Sequence, residues 1–165
     1  MQAAAISAFG HYLDRIARLL DRIADADNPQ TLLTARPAPG RFCAAEQLGI
    51  ATGFAARGLC AVAGRETPDI GLPANLPELR AALATVRHAI GGISPADLSN
   101  RPVTHSAGQG TLTQPADEFL LHYALPNMLF HLSLAYAALA SAGMTLGKAD
   151  FDGLHTYAPG FSFPD

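Results

Sequence analysis

No tryptophan occurs in this chain, lysine and arginine nowhere cluster, and charged residues of either sign make up only 15%. With 11 basic residues against 14 acidic and no basic run, the charged face by which proteins hold nucleic acid is excluded. Scarce charge beside 49% hydrophobic residues excludes a disordered composition. It fits a single domain over residues 1–165, long enough for a substantial core.

Cysteine is nearly missing too. Cys43 and Cys60 fall in one predicted helix, where a rise of about 1.5 Å per residue holds them roughly 25 Å apart, too far for a bridge. Small buried thiols are the better reading of both. The N-terminus shows no basic stretch followed by an apolar block, so no secretory signal is read there and the expected home is the cytoplasm. Neither a glycine-rich phosphate loop nor a serine or cysteine nucleophile motif is present.

What is there is helical. Phe9, Leu13, Ile16, Leu20 and Ile23 repeat at three and four residues, which predicts an amphipathic helix over 3–26. Its opposite face carries Asp14, Arg15, Arg18, Asp21, Arg22 and Asp25, and His11 on that side reads as solvated. Asn28-Pro29 restarts the chain for a short turn through Leu33, and Pro37-Ala38-Pro39-Gly40 breaks it again. A second helix is expected from about Phe42 to Ala63, with Leu48, Ala51, Phe54, Ala55, Leu59 and Val62 as its apolar face and Gly64 closing it. Gly49, Gly53 and Gly58 disfavour that helix by roughly 1 kcal/mol each relative to alanine, so a neighbour is expected to approach closely there. A third helix starts at Asn75, with Glu78 three residues on, and runs along Leu79, Leu83, Val86, Ile90 and Ile93. Residues 101–114 suit a small β-hairpin turning at 106–110, in which His105 has no obvious partner. A last helix spans about Pro115 to Ala142, and the tail 145–165 is expected to pack on the rest. The fold class is all-α, a four-helix bundle with a hairpin before the last helix.

The last helix contains the oddest stretch, YALPNMLFHLSLAYAAL (123–139). It is apolar on nearly every side, which predicts burial on most sides and a remaining face covered by a second copy of the chain. His122, Pro126, Asn127, His131 and Ser133 interrupt it too often for a membrane span of about 20 apolar residues. On a regular helix Tyr123, Asn127 and His131 are successive i, i+4 neighbours. Buried polar groups of this kind must find partners, either in one another or in a ligand. Pro126 should loosen the turn before it.

ALPN (124–127), Phe130-His131, Ala135-Tyr136 and Leu146-Gly147-Lys148 with Asp150-Phe151 resemble the C-terminal signature of an uncharacterised branch of the DinB-like superfamily, a domain of unknown function. Residues 32–66, with Arg36, Pro39, Phe42 and Gln47, resemble its second-helix block, so the likeness covers nearly the whole chain. The resemblance implies a DinB-like bundle of four helices, often a dimer. For many relatives it implies a divalent metal held by one histidine of the second helix and a His-x-x-x-His pair of the fourth, and for some the transfer of low-molecular-weight thiols. Here His131 matches one member of that pair while Ala135 stands in the other place; were His131 the later member, Asn127 would stand in the earlier one. The second helix has no histidine, and Gln47 is its nearest polar candidate. One imidazole with neutral amides is a poor site for zinc or nickel, so no metal and no cofactor is expected.

Two classes of function follow. In the first, a pocket of Gln47, Tyr123, Asn127, His131 and Tyr136 takes a small molecule, with His131 as general base or hydrogen-bond partner and the candidate catalytic residue. In the second, the same residues satisfy one another in a non-catalytic homodimeric module. A thiol transferase with a degenerate metal site is the remaining alternative.

Overall fold

The computed structural model describes residues 2–158. Helix α1 (Gln2–Ala24) buries Phe9, Leu13, Ile16, Leu20 and Ile23, the stripe its sequence spacing predicts. Each such side chain removed from water contributes about 1.5–3 kcal/mol toward docking the helix. A short α2 (Pro29–Thr34) leads through a loop to α3 (Ala44–Ala63), and α4 (Leu76–Ile90) follows. The Asn75 side chain caps α4 by accepting from the Glu78 N–H at 3.0 Å. Gly64, at φ +66°, ends α3 in the left-handed conformation that glycine adopts freely.

Strands β1 (Val103–Ala107) and β2 (Gly110–Gln114) pair antiparallel, Val103 opposite Gln114 and Ala107 opposite Gly110. The last rod comprises α5 (Ala116–Glu118), a π-helical segment (Phe119–Ala124) and α6 (Leu125–Ser141), helical in backbone at each junction. Four long rods, α1, α3, α4 and α5–α6, thus make an all-α bundle with a hairpin before the last of them.

Helix α3 is the centre. It packs most extensively on α6, next on α4, and also on α1 and α2. Its small residues allow this. A Cβ added at Gly58 would lie 2.9 Å from Ala124 Cβ and 3.1 Å from Phe9 Cζ, and one at Gly49 would lie 2.6 Å from Pro73 Cδ. The second helix is therefore buried on nearly every side, Ala44, Ala45, Ala56 and Cys60 included. The last helix is not: Pro126, Phe130, Ser133, Ala137 and Ala140 form an exposed stripe along it. That stripe is the one face the sequence left uncovered; the second helix is buried on more sides than its apolar face implied, because alanine and glycine add little apolar signal yet allow close packing on several faces.

Pro126 explains the π-helical segment. Proline lacks an N–H and its ring clashes with the carbonyl four residues back in a regular helix. The wider turn before it removes that clash, with the Leu125 N–H bonding Leu120 O instead. The hairpin docks against this segment. Tyr123 donates its hydroxyl to Ser106 O at 3.0 Å, and its ring lies 4.1 Å from that of His105. His105, for which the sequence offers no partner, pairs with Gln114 Oε1 at 2.8 Å across the hairpin.

Beyond the rod, α7 (Lys148–Asp152) lies on α1. Arg22 meets Asp150 at 2.5 Å, and Arg15 donates to the carbonyls of Ala149 and Asp150. His11 is not solvated as its polar side implied; it is half-buried, and its Nε2 lies 2.8 Å from Asp152 O. The end of the tail, 159–165, falls outside the described residues.

Candidate functional site

A cavity of about 430 Å³ opens where the loop 36–43 passes the seam between α3 and α6. Local bonds fix that loop. The Ala44 N–H donates to Ala35 O at 2.8 Å and closes the loop at its base. Arg41 N–H reaches Ala38 O at 3.2 Å, Gly40 turns the chain at φ +71°, and the Arg36 guanidinium bonds the Arg41 carbonyl. Glu46 caps α3 from within, accepting the Cys43 N–H at 2.6 Å. That bond, with Arg36 3.5 Å away, holds the Glu46 carboxyl below its ordinary range and therefore ionised.

The floor of the cavity is a pair of side chains. His131 Nδ1, on α6, lies 2.6 Å from Gln47 Oε1, on α3. Gln47 is fully buried, and its Nε2 donates to Phe42 O at 3.4 Å, which orients the amide with its oxygen toward the imidazole. An amide oxygen only accepts, so Nδ1 carries the proton. Nε2 is left without a hydrogen-bond partner among the described residues. Burial, then the nearby Arg57 charge, lowers the imidazole pKa from its ordinary value and favours the neutral ring. The ring stacks on Phe54 at 5.9 Å between centroids. His131 is half-buried rather than mostly buried as the sequence implied, since this side of α6 faces the cavity.

The other three residues expected with it are elsewhere. Tyr123 belongs to the π-helical segment, whose turn breaks the i, i+4 alignment, and its hydroxyl serves the hairpin. Phe54 stands between it and His131, 5.8 Å from one ring and 5.9 Å from the other. Asn127 turns back on its own helix, its Nδ2 donating to Tyr123 O at 2.8 Å beside the proline. Tyr136 faces the tail, with Phe151 at 6.0 Å. In their place the cavity is walled by Arg36, Arg41, Phe42, Glu46, Phe130 and Leu134. Arg36, Phe42 and Phe130 were visible as part of the family-like stretches, though not singled out as site residues; Arg41 was not singled out at all.

The metal that a DinB-like resemblance implies does not fit these donors. Around His131 stand an amide and, four residues on, the fully buried Ala135, which can ligate nothing. No group of three or more His, Cys, Asp or Glu side chains able to hold a metal ion comes together among the described residues.

A profile for the Domain of unknown function (DUF1993) matches residues 1–152. The chain belongs to that family. The crystal structure of a DinB family member protein from Shewanella denitrificans superposes on this DUF1993 chain with a TM-score of 0.79. The two are 28% identical, over 93% of this chain and 92% of that one. The DUF1993 fold is accordingly DinB-like. A search of curated proteins found no match. Among the described residues, no helix is long and apolar enough to cross a membrane.

Proposed function

We propose that the protein binds a small organic molecule in the cavity between the 36–43 loop and the α3–α6 seam. One observation carries this reading: a half-buried imidazole, fixed at Nδ1 by a buried amide, leaves its Nε2 without a partner among the described residues, beside a roomy cavity. Phe42 and Phe130, 48% and 57% exposed, line the same cavity and offer apolar walls to a ligand. A comparable groove of about 480 Å³ beside α1 is less suited, because its Arg15 and Arg22 are already committed to the tail. The neutral Nε2 accepts a hydrogen bond from a hydroxyl, thiol or amide of the ligand, and it can act as a base toward that group. The test is a fragment screen read by NMR of the ligands themselves, with the His131 ring signals locating the hits in the wild type. Hits are expected to shift those ring signals, and their ligand-detected binding is expected to be lost in a folded His131→Leu variant. Hits that bind His131→Leu equally well would show that the site is elsewhere.

A second reading is self-association. The exposed stripe of Pro126, Phe130, Ser133, Ala137 and Ala140 favours it, since small and apolar side chains let two helices meet closely.

A further inference from the structure

Resting on that reading of the cavity, we infer that its ligand is a carboxylic acid with an apolar body, its carboxylate held by Arg41 at the rim and its body between Phe42 and Phe130. Charge is the first ground. Two guanidinium groups, Arg36 and Arg41, face one carboxylate, Glu46, on the cavity wall. Glu46 is already committed to the Cys43 N–H and to Arg36. Arg36 is committed to Glu46 and to the Arg41 carbonyl. The Arg41 guanidinium alone has no acceptor among the described residues, so the wall carries one uncompensated positive charge. His131 is neutral and adds no charge of its own.

Placement is the second ground. Arg41 is on a loop whose backbone is braced by Ala38, by Arg36 and by the Ala44–Ala35 closure. A guanidinium on a braced loop presents a planar fork that suits a carboxylate bidentately. Phe42, Phe130 and Leu134 line the same cavity as Arg41 and the imidazole, and the remaining charges there, Arg36 and Glu46, are paired with each other. An inorganic anion would leave those walls bare. A ligand with an anionic end, an apolar middle and a hydrogen-bond donor toward His131 Nε2 meets every unpaired group of the cavity.

The experiment titrates a panel of small hydroxy-substituted aromatic carboxylates, each beside its uncharged carboxamide, into the full chain. Binding is read from the His131 ring signals, with inorganic phosphate as a further arm. The carboxylates are expected to bind about tenfold more tightly than their amides, a preference that falls to near unity in Arg41→Gln. Arg41→Gln is expected to melt with the wild type, because its side chain makes no hydrogen bond or ion pair among the described residues. Amides that bind as well as carboxylates would overturn the carboxylate inference and leave the cavity reading intact. Inorganic phosphate that shifts the signals as strongly as the organic acids would overturn the apolar-body half of it. A panel in which no acid or amide moves the His131 signals at millimolar concentration would overturn both readings.

Discussion

His131 Nδ1 and Gln47 Oε1 lie 2.6 Å apart across the seam of the two most extensively packed helices. The bond is the polar contact within an otherwise apolar stretch of that seam, and each partner leaves the other's proton or lone pair stranded if removed. Leaving a buried donor or acceptor unpaired costs about 1–3 kcal/mol. Gln47→Leu and His131→Leu are each expected to lose about 1–2 kcal/mol by denaturant unfolding, somewhat less than the full penalty because cavity water can reach the imidazole. The double variant should lose less than the sum of the two. Strict additivity would mean that the bond does not couple the helices.

Stability should also depend on pH through the same ring. Burial, with a lesser push from Arg57, lowers the His131 pKa below the ordinary value of 6.5. Between the folded and unfolded values the unfolded chain binds a proton that the native chain does not, so stability falls as pH drops below about 6.5 and levels off beneath the folded value. The Tm advantage of wild type over His131→Leu is expected to shrink between about pH 8 and about pH 5. Subtracting the variant removes the carboxylates, among them Glu46, whose lowered pKa acts in a more acidic window. An NMR titration of the ring with a midpoint at or above the ordinary value would contradict this.

Two glycines in helices should respond oppositely to alanine. At Gly10, in α1, an added Cβ would meet no atom within 4 Å, so Gly10→Ala is expected to stabilise by about 0.5–1 kcal/mol through helix propensity. Gly58→Ala gains the same propensity but forces its methyl against Ala124 and Phe9. Overpacking of about 1–3 kcal/mol should outweigh the gain, for a net loss near 1 kcal/mol. Thermal melts of the pair decide it, and a stabilised Gly58→Ala would mean that the contact of α3 with the π-helical segment and α1 is looser than its geometry.

Self-association predicts a dimer at micromolar concentration in sedimentation or light scattering. Ala137→Arg puts a charge on the exposed stripe without touching the cavity, and it is expected to shift the population to monomer while leaving ligand binding in place. A wild type that runs as a monomer at all concentrations would remove this reading.

Much of the fold is legible in the sequence because its elements carry local signals. The α1 stripe repeats at three and four residues, Asn75 and Glu78 mark a helix start, and Gly64 marks a helix end. The contact of His131 with Gln47 follows from the rule that buried polar groups pair, joined to a family likeness that brings the two helices together. Tyr123 and Tyr136 depart from expectation for different reasons. A regular helical projection places the first, and the π-helical segment invalidates it; the second sits on a side of α6 taken up by the tail. Arg41 carries no sequence signal, since loop residues have no periodicity and its position depends on hydrogen bonds closed by Arg36 and Ala44. His11 reads as solvated because the group that bonds it, Asp152 O, is remote in the chain.

The π-helical segment leaves the two ends of the last rod out of phase with each other. Upstream, Tyr123 and Phe119 are set to meet the hairpin through His105; downstream, His131 is set to meet α3. Removing one residue from 119–124 would swing everything before it through about 100° relative to everything after. The hairpin and the cavity are thus mechanically geared through one wide turn, and a length change of a single residue there would disengage one from the other.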